Sequence, residues 1–387
     1  MSDFALHLPL NGVSFGQVST ALLREFHQKG VQPSLFTVGQ SDLSSQEIDP
    51  DFNKWIESCI KKSFEEYSRD TPIFKLWHLN HESLTSYGKD QTLFTFYELD
   101  HPTSYEINIA RNQKNLIVSS NYAKTIFEEH GIENCHYVPL GFDKHNFYVK
   151  NEKYLEGKIV FNLTGKLEKR KHHAKVIKAW LKKYGDNKDY VLQCAVGNPF
   201  IKEDEFKARI NEILEGKSYF NVNFLGMMQK NSLYNDFLNS GNIILGMSGA
   251  EGWGLPEFQS TALGKHAVIL NATSYKDWAN PENSTLVEPS GKIDSEDGMF
   301  FKKGNPFNQG QIYDFNEDEF IDALTKIYEM SPEERRELGL KGHQHVLKNY
   351  SFNKYIEQWD TVFTESYENF GSWSTRKKYK PWEMIKL

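Results

Sequence analysis

The chain has 387 residues, 39% hydrophobic and 25% charged, with a formal net charge of −7. At roughly 150 residues per domain this predicts two or three globular domains, two being the better expectation, each half long enough to close its own core. The composition excludes a disordered chain, and the acidic balance argues against a general polyanion-binding surface while leaving room for a local basic groove.

Three cysteines, Cys59, Cys135 and Cys194, are too few and too scattered for a disulfide framework. Met1 to Leu10 lacks the basic and apolar regions of a signal peptide, and no apolar run approaches the ~20 residues of a membrane span. The expected location is therefore cytoplasmic, with no transmembrane segment. Aromatic residues make up 14% of the chain. Such rings serve carbohydrate-handling surfaces, although core packing is their commoner use.

Phe4 to Leu10 reads as a short buried strand, followed by the loop Asn11 to Gly16 and a helical pattern from Gln17 to Lys29. Ser34 to Val38 is the next strand. From Asp51 to Arg69 a helix is expected, with Trp55, Ile56, Ile60 and Phe64 as its core stripe. Phe74 to Leu79 and Leu93 to Tyr97 follow as strands, the second ending in Glu98-Leu99-Asp100-His101-Pro102. Charged groups and a histidine at a parallel strand end stand where open α/β sheets usually meet ligands. Asn115 to Ser120 gives a strand running into a capped helix that stops at Gly131. The segment His136 to Asp143 closes the first half, and polar Lys144 to Lys158 is the expected linker.

The second half opens with the strand Lys158 to Leu163, then Thr164-Gly165-Lys166-Leu167-Glu168-Lys169-Arg170-Lys171 and a helix from His172. Basic residues after a strand and at a helix start can hold a diphosphate, where their charge adds to unpaired helix N–H groups. Tyr190 to Val196 and Val222 to Met228 read as further strands with their loops. The apolar run Ile243-Ile244-Leu245 then leads into Glu251-Gly252-Trp253-Gly254-Leu255-Pro256-Glu257-Phe258-Gln259. Strand, glycine turn and helix again follow one another, and the helix start suits phosphate. Ala267 to Leu270 is another strand, Gly304 to Tyr313 an expected surface insertion, and Glu317 to Met330 a helix. Ser331-Pro332-Glu333-Glu334 starts a capped helix, and Tyr355 to Tyr367 is expected to be helical.

The Glu251 to Gln259 stretch resembles the donor-binding signature of retaining, nucleotide-sugar-dependent glycosyltransferases of family 4, the glycogen-synthase-like and sucrose-synthase-like group. That family carries a Glu, a Gly-aromatic-Gly-Leu-Pro turn and a second Glu eight positions after the first; here Gln259 takes the second place. It also carries Gly-Arg at the strand end and a Lys five residues beyond the Arg, matched by Gly165-Lys166 and Lys171. Val138-Pro139-Leu140-Gly141-Phe142-Asp143 is similar to its last N-domain segment.

The resemblance implies an α/β, GT-B architecture. Two Rossmann-like domains, residues 1–150 on the acceptor side and 155–370 binding the nucleotide sugar, present parallel sheets to a deep cleft. The tail 371–387, basic and aromatic, would pack back on the first domain. Implied roles follow. Glu251 faces the donor sugar, Gln259 the ribose through an uncharged amide, and Lys166 and Lys171 the diphosphate. Lys166 lacks the bidentate fork of the family's Arg, and Glu257 is a substitute candidate for the missing carboxylate. Met227 holds the nucleobase. Gly12, Ser14, Gly165, Gly252, Trp253, Gly254 and Leu255 line the donor, and Glu98 or His101 positions the acceptor.

The implied reaction moves a hexose from a UDP- or GDP-linked donor to a saccharide or other hydroxyl, with retention and without metal or cofactor. Asp294-Ser295-Glu296-Asp297 does not follow an apolar strand and reads as a solvated loop. Three alternatives remain. The acceptor could be a hydroxylated DNA base, reached through the tail and the 169–173 region. The fold could serve a pyridoxal-phosphate phosphorylase, for which no specific signal exists. Or the chain could be a noncatalytic sugar-nucleotide-binding homologue whose Gln259 marks a lost site.

Overall fold

The computed structural model describes residues 4–151, 154–358 and 362. In the first half, β1 (Ala5–Pro9), β2 (Ser34–Val38), β3 (Ile73–Leu76), β4 (Gln91–Thr95), β5 (Asn115–Val118) and β6 (Cys135–Tyr137) form one parallel sheet in the order β2-β1-β3-β4-β5-β6. The second half repeats the plan with β7 (Ile159–Lys166), β8 (Tyr190–Gly197), β9 (Val222–Phe224), β10 (Ile243–Gly246), β11 (His266–Leu270) and β12 (Ser284–Val287), ordered β12-β11-β10-β7-β8-β9. Helices cover both faces of each sheet, so strands such as β1, β4, β5 and β11 are buried at every position and carry no polar alternation.

Each sheet starts in its middle, winds outward to one side, then crosses to the other. The crossing lies between β1 and β3 in the first sheet and between β7 and β10 in the second. Loops after those strands diverge to opposite faces and leave a crevice at the carboxyl edge, which is where such sheets bind ligands.

One element has no place in either sheet. After β12 the chain forms an antiparallel hairpin, β13 (Pro289–Asp294) and β14 (Gln311–Phe315), and the expected surface insertion is its tip and second strand. The tip lies against the first domain: Thr103 donates to the Pro306 carbonyl at 2.6 Å, Glu106 accepts from the Asn308 N–H at 2.9 Å, and Asp100 accepts from the Gln311 N–H at 2.8 Å. Phe301 and Ile312 are buried in the same apolar cluster as Leu93, Leu116 and Phe127 of the first domain.

Other expectations are corrected. The helix Pro50–Glu65 buries Phe52, Ile56 and Cys59, whereas Phe64 is 81% exposed because that position has rotated past the contact face near the helix end. The helices Ser104–Arg111, Glu203–Ile213 and Asn231–Ser240 had no reading in the sequence. Along the expected linker, Tyr148 and Lys150 donate backbone N–H groups to Asn235 and Asn239 at 3.2 and 2.9 Å, which lays this segment on the helix Asn231–Ser240. At the far end Phe142 donates to the Tyr350 carbonyl at 2.8 Å, and Phe352 packs on Gly141. The tail 371–387 and most of the helix expected beyond Tyr355 lie outside the described residues.

Candidate functional site

The run from Lys166 to Lys171 and the loop from Met247 to Gly254 leave the two strands that flank the crossing of the second sheet, so topology alone brings them face to face. Gly165 takes φ +118°, and the stem of Lys171 passes over it, with Cε 3.4 Å from where a Cβ would sit. His172 adopts φ +55°, which separates the short turn Lys169–Lys171 from the helix His173–Tyr184 and aims the turn back at the loop. Backbone bonds tie the two together: Gly249 donates to the Arg170 carbonyl at 2.7 Å, and Ser248 Oγ to the same atom at 3.2 Å.

A compact ion cluster results. Lys171 Nζ is in contact with Glu251 Oε1, and Arg170 Nη1 reaches the same oxygen at 2.9 Å. Arg170 also donates from Nη1 to the Ala250 carbonyl at 2.6 Å and from Nε to Glu168 Oε2 at 3.0 Å. Lys166 pairs with Glu168 Oε1 at 2.7 Å. Across the domain boundary, Glu98 Oε2 lies 3.2 Å from Arg170 Nη1. Three carboxylates thus meet three cations, and each carboxylate touches at least one of them.

The protonation equilibria diverge within this cluster. Burial alone would raise the Glu251 carboxyl, but the adjacent Lys171 and Arg170 charges outweigh it and hold the group at about 2. Among the described residues Glu98 has Arg170 as its only ion-pair partner, and burial together with the repulsion of Glu251 and Glu168 pushes it up to about 7. Glu257, buried behind the loop, is also raised to about 7 by burial and by Glu251, against the pull of Lys171.

The signature turn is built by close approach. Gly254 has φ +79°, and a Cβ there would lie 2.3 Å from the Tyr275 ring. A Cβ on Gly252 would sit 2.6 Å from Cβ of Phe96, a residue of the first domain. The helix Leu255–Ala262 begins directly after Gly254 with Pro256 in its first turn. Trp253, expected at the donor, turns instead into the core against Phe258 and Tyr350, with ring centroids 5.2 and 5.5 Å away. Leu255 and Gln259 line a neighbouring interdomain crevice with Gln17 and Asp143. Met227 stands at the outer end of the sheet beside Gly197, 3.3 Å from where its Cβ would be.

From the first domain, Ser119 Oγ donates to the Gly252 carbonyl at 2.6 Å. Phe15, Trp77, His78 and Phe96 cluster after β1, β3 and β4, with Phe15 to His78 and Phe15 to Phe96 centroids 4.4 and 4.5 Å apart. Burial, with the positive charge of Lys166 adding to it, lowers His78 to about 4. Gly12 packs against Ser45, and Ser14 opens the helix Ser14–Gln28. Among the described residues His101 has no bond to the ion cluster; it lines a separate cavity under the hairpin.

Arg170, Glu168 and His78 were missed. Arg170 sits in a run of basic residues whose ordinary fate is solvent, and only its burial and its four acceptors distinguish it. The Asp294 to Asp297 acids fold their own loop: Asp297 Oδ1 accepts the N–H groups of Met299, Phe300 and Phe301 at 2.8–2.9 Å. Among the described residues, no three His, Cys, Asp or Glu side chains converge as metal ligands would.

No protein-family model and no curated protein matches the sequence. Solved structures do. The chain is similar to sucrose-phosphate synthase from Thermosynechococcus elongatus, at 14% identity over 96% of this chain and 100% of that one, with a TM-score of 0.68. It is similar to Anabaena HepE in complex with UDP and glucose, at 12% identity over 95% and 99% of the two chains and a TM-score of 0.64. A Staphylococcus aureus TarM variant in complex with fondaparinux, alpha-GlcNAc-glycerol and UDP is 14% identical, with 76% of this chain covered and a TM-score of 0.55; the chain spans 56% of TarM's length. The architecture is therefore GT-B: two Rossmann-like domains whose carboxyl edges face each other.

Proposed function

We propose that this chain is a glycosyltransferase that moves a hexose from a nucleoside-diphosphate sugar to an acceptor hydroxyl, with retention of anomeric configuration and without a metal. The observation that carries the reading is the meeting of Glu251, Lys171 and Arg170 at the crossing of the second sheet, directly before the helix Leu255–Ala262. The UDP held by HepE and TarM supports it.

As the glycosidic bond lengthens, negative charge gathers on the diphosphate. Lys171, Arg170, Lys166 and the N–H groups at the start of the helix Leu255–Ala262 are fixed beforehand and stabilise that charge without reorganising, which is where electrostatic catalysis gains most. Glu251, kept ionised by its two cations, accepts hydrogen bonds from the sugar hydroxyls and orients the ring. Gln259 holds the ribose hydroxyls with its amide, and Met227 borders the base. Glu98 faces the reacting carbon from the acceptor side.

A thermal-shift series with UDP-glucose, GDP-mannose and ADP-glucose, each with and without EDTA, tests this. Ligand binding to the folded state raises the melting temperature by mass action. One nucleotide class should raise it, equally in EDTA, and the same donor should release free nucleotide diphosphate on incubation. No shift with any of them, or turnover only with added manganese, overturns the reading.

A further inference from the structure

Among the described residues, two that carry side chains take left-handed backbone angles beside the ion cluster: His172 at φ +55° and Thr273 at φ +47°. A β-carbon makes that region costly, so such residues persist only where their surroundings hold them, and they gather at working sites. Thr273 is bonded to the loop beside it, its Oγ1 accepting the Glu251 N–H at 3.2 Å. His172 is held by a different element. Its Nε2 meets the Tyr313 carbonyl of β14 at 2.8 Å, and its ring stands edge-on to Phe315, with centroids 5.5 Å apart. A carbonyl can only accept, so Nε2 carries the hydrogen. Burial lowers the ring below its ordinary 6.5 despite that bond, so at neutral pH it has a single N–H, the one given to Tyr313.

Neighbouring residues repeat the attachment. Lys169 Nζ donates to the Asp294 and Glu296 carbonyls at 2.7 and 3.0 Å, and Lys175 Nζ to Asp314 Oδ1 at 2.8 Å. Lys169, His172 and Lys175 therefore face the hairpin, while Arg170 and Lys171, between the first two, face the ion cluster. Gly249 joins all three segments: its N–H donates to the Arg170 carbonyl at 2.7 Å, and its carbonyl accepts from the Tyr313 N–H at 2.9 Å. A Cβ there would lie 2.0 Å from the Tyr313 oxygen and 2.9 Å from His172 Nε2, so only bare backbone lets turn, loop and hairpin meet.

The hairpin is anchored in turn on the first domain. Two residues before Tyr313, the Gln311 N–H donates to Asp100, which also pairs with Lys292 at 2.7 Å. Asp100 stands two residues beyond Glu98, and Glu98 returns to Arg170. The cation turn is thus held from the first domain by two routes, one directly through Glu98 and one through Asp100, β14 and His172.

We propose that His172 is a positioning residue: its bond to Tyr313 fixes the left-handed turn that aims Lys171 and Arg170, and so makes their alignment depend on the docked hairpin. The proposal rests on the glycosyltransferase reading above and deepens it, because the grip on the diphosphate then relies on an element outside both Rossmann-like sheets. A turn held only by its own strand and helix would not feel the loss of the imidazole once the strain was gone. Glycine at position 172 separates the two cases, since it accepts φ +55° freely and donates nothing to Tyr313.

Three single variants of the full chain are compared with the wild type. His172→Gly removes strain and bond together; His172→Gln keeps an amide N–H at the same number of bonds from Cα as Nε2; Asp100→Ala loosens the hairpin. Peptide-resolved hydrogen exchange without ligand follows residues 169–173 and 247–251, and calorimetry follows UDP binding. His172→Gly should keep the wild-type circular dichroism, exchange roughly tenfold faster in both segments, and bind UDP at least fivefold more weakly. His172→Gln should recover most of both losses. Asp100→Ala should speed exchange in the same segments, and adding it to His172→Gly should weaken UDP binding by less than a further twofold, because both changes break one route. Exchange or UDP binding within twofold of the wild type in His172→Gly, no recovery in His172→Gln, or additive losses in the double variant overturns the proposal. The exchange measurement needs no ligand. A wild type that fails to bind UDP therefore overturns the glycosyltransferase reading, while exchange alone still decides whether His172 holds the turn.

Discussion

Glu98 of the first domain and Arg170 of the second meet at 3.2 Å, and through Arg170 the first domain is joined to Glu168, Glu251 and Lys171. Guanidinium chemistry makes this possible. A planar fork with five donors can serve acceptors in several directions, whereas an ammonium on a flexible stem cannot do so with the same geometry.

Removing that fork strands charge. Arg170→Met leaves Glu98 without its ion-pair partner inside the seam and Glu168 with Lys166 alone, and breaking a buried pair from one side costs about 3–5 kcal/mol. Urea unfolding should show a loss of that order, with Arg170→Lys recovering only part of it. A loss below about 1 kcal/mol for Arg170→Met would show that the cluster does not hold the domains.

Donor binding should depend on Glu98 and on pH. The cluster is balanced before a diphosphate arrives, so the incoming negative charge meets three carboxylates as well as three cations. Glu98→Gln removes one of these anions and should tighten UDP binding several-fold at pH 8. At pH 5.5, below about 7, wild-type Glu98 is already mostly protonated, so the two proteins should bind alike. Calorimetry at the two pH values checks this; an equal difference at both would refute it.

Glu257 gives a stability counterpart. Its carboxyl is raised to about 7 in the folded chain, above its ordinary value of 4.5. A raised acid favours folding while it is protonated: this contribution is complete below about 4.5 and is lost as pH rises through 7. The Glu257→Gln variant cannot ionise, so it should gain on the wild type between pH 5 and pH 8. The gain should be on the order of 2–3 kcal/mol, because each tenfold difference in proton affinity between the folded and unfolded chain is worth about 1.4 kcal/mol. Parallel stability curves across that window would exclude a raised carboxyl. Glu251 runs the other way, since its group is lowered to about 2 and its contribution fades only as pH falls below 4.5.

Lys171→Met should lower kcat/KM for the donor by about 10²–10³-fold, the usual cost of losing one prepositioned donor to developing charge. The fold should persist, because Arg170 still neutralises Glu251. Steady-state kinetics alongside circular dichroism separates the two effects.

Gly252→Ala should push the domains apart, since its Cβ would lie 2.6 Å from Cβ and 3.1 Å from Cα of Phe96. Phe96→Ala keeps the offending Cβ and should not rescue it, but Phe96→Gly should do so in part, since the 3.1 Å approach to Cα remains. Small-angle scattering reports the change as a larger radius of gyration; a rescue by Phe96→Ala would mean that ring packing, and not the backbone approach, sets the closure.

The sequence alone determined the repeated βα plan. Buried parallel strands such as Ile243 to Leu245 and Ala267 to Leu270 are short apolar runs bounded by glycine and polar turns, and that pattern is local. Glu251, Gly254 and Lys171 could be singled out for the same reason, because each stands in a strand-to-helix turn whose residues are contiguous. The partners of those turns were decided only by the tertiary structure. The crossing between β7 and β10 fixes which strand edges are neighbours, and the contact between Arg170 and Glu98 joins segments with no shared periodicity. The hairpin β13–β14 reads as polar surface because much of its sequence is polar; its docking on the first domain rests on backbone bonds to Thr103, Glu106 and Asp100 and on the burial of Phe301 and Ile312, which no local pattern encodes. Trp253 shows the same limit from the other side: one residue in a legible turn, whose ring goes to core or to ligand according to packing that comes from Phe258 and the distant Tyr350.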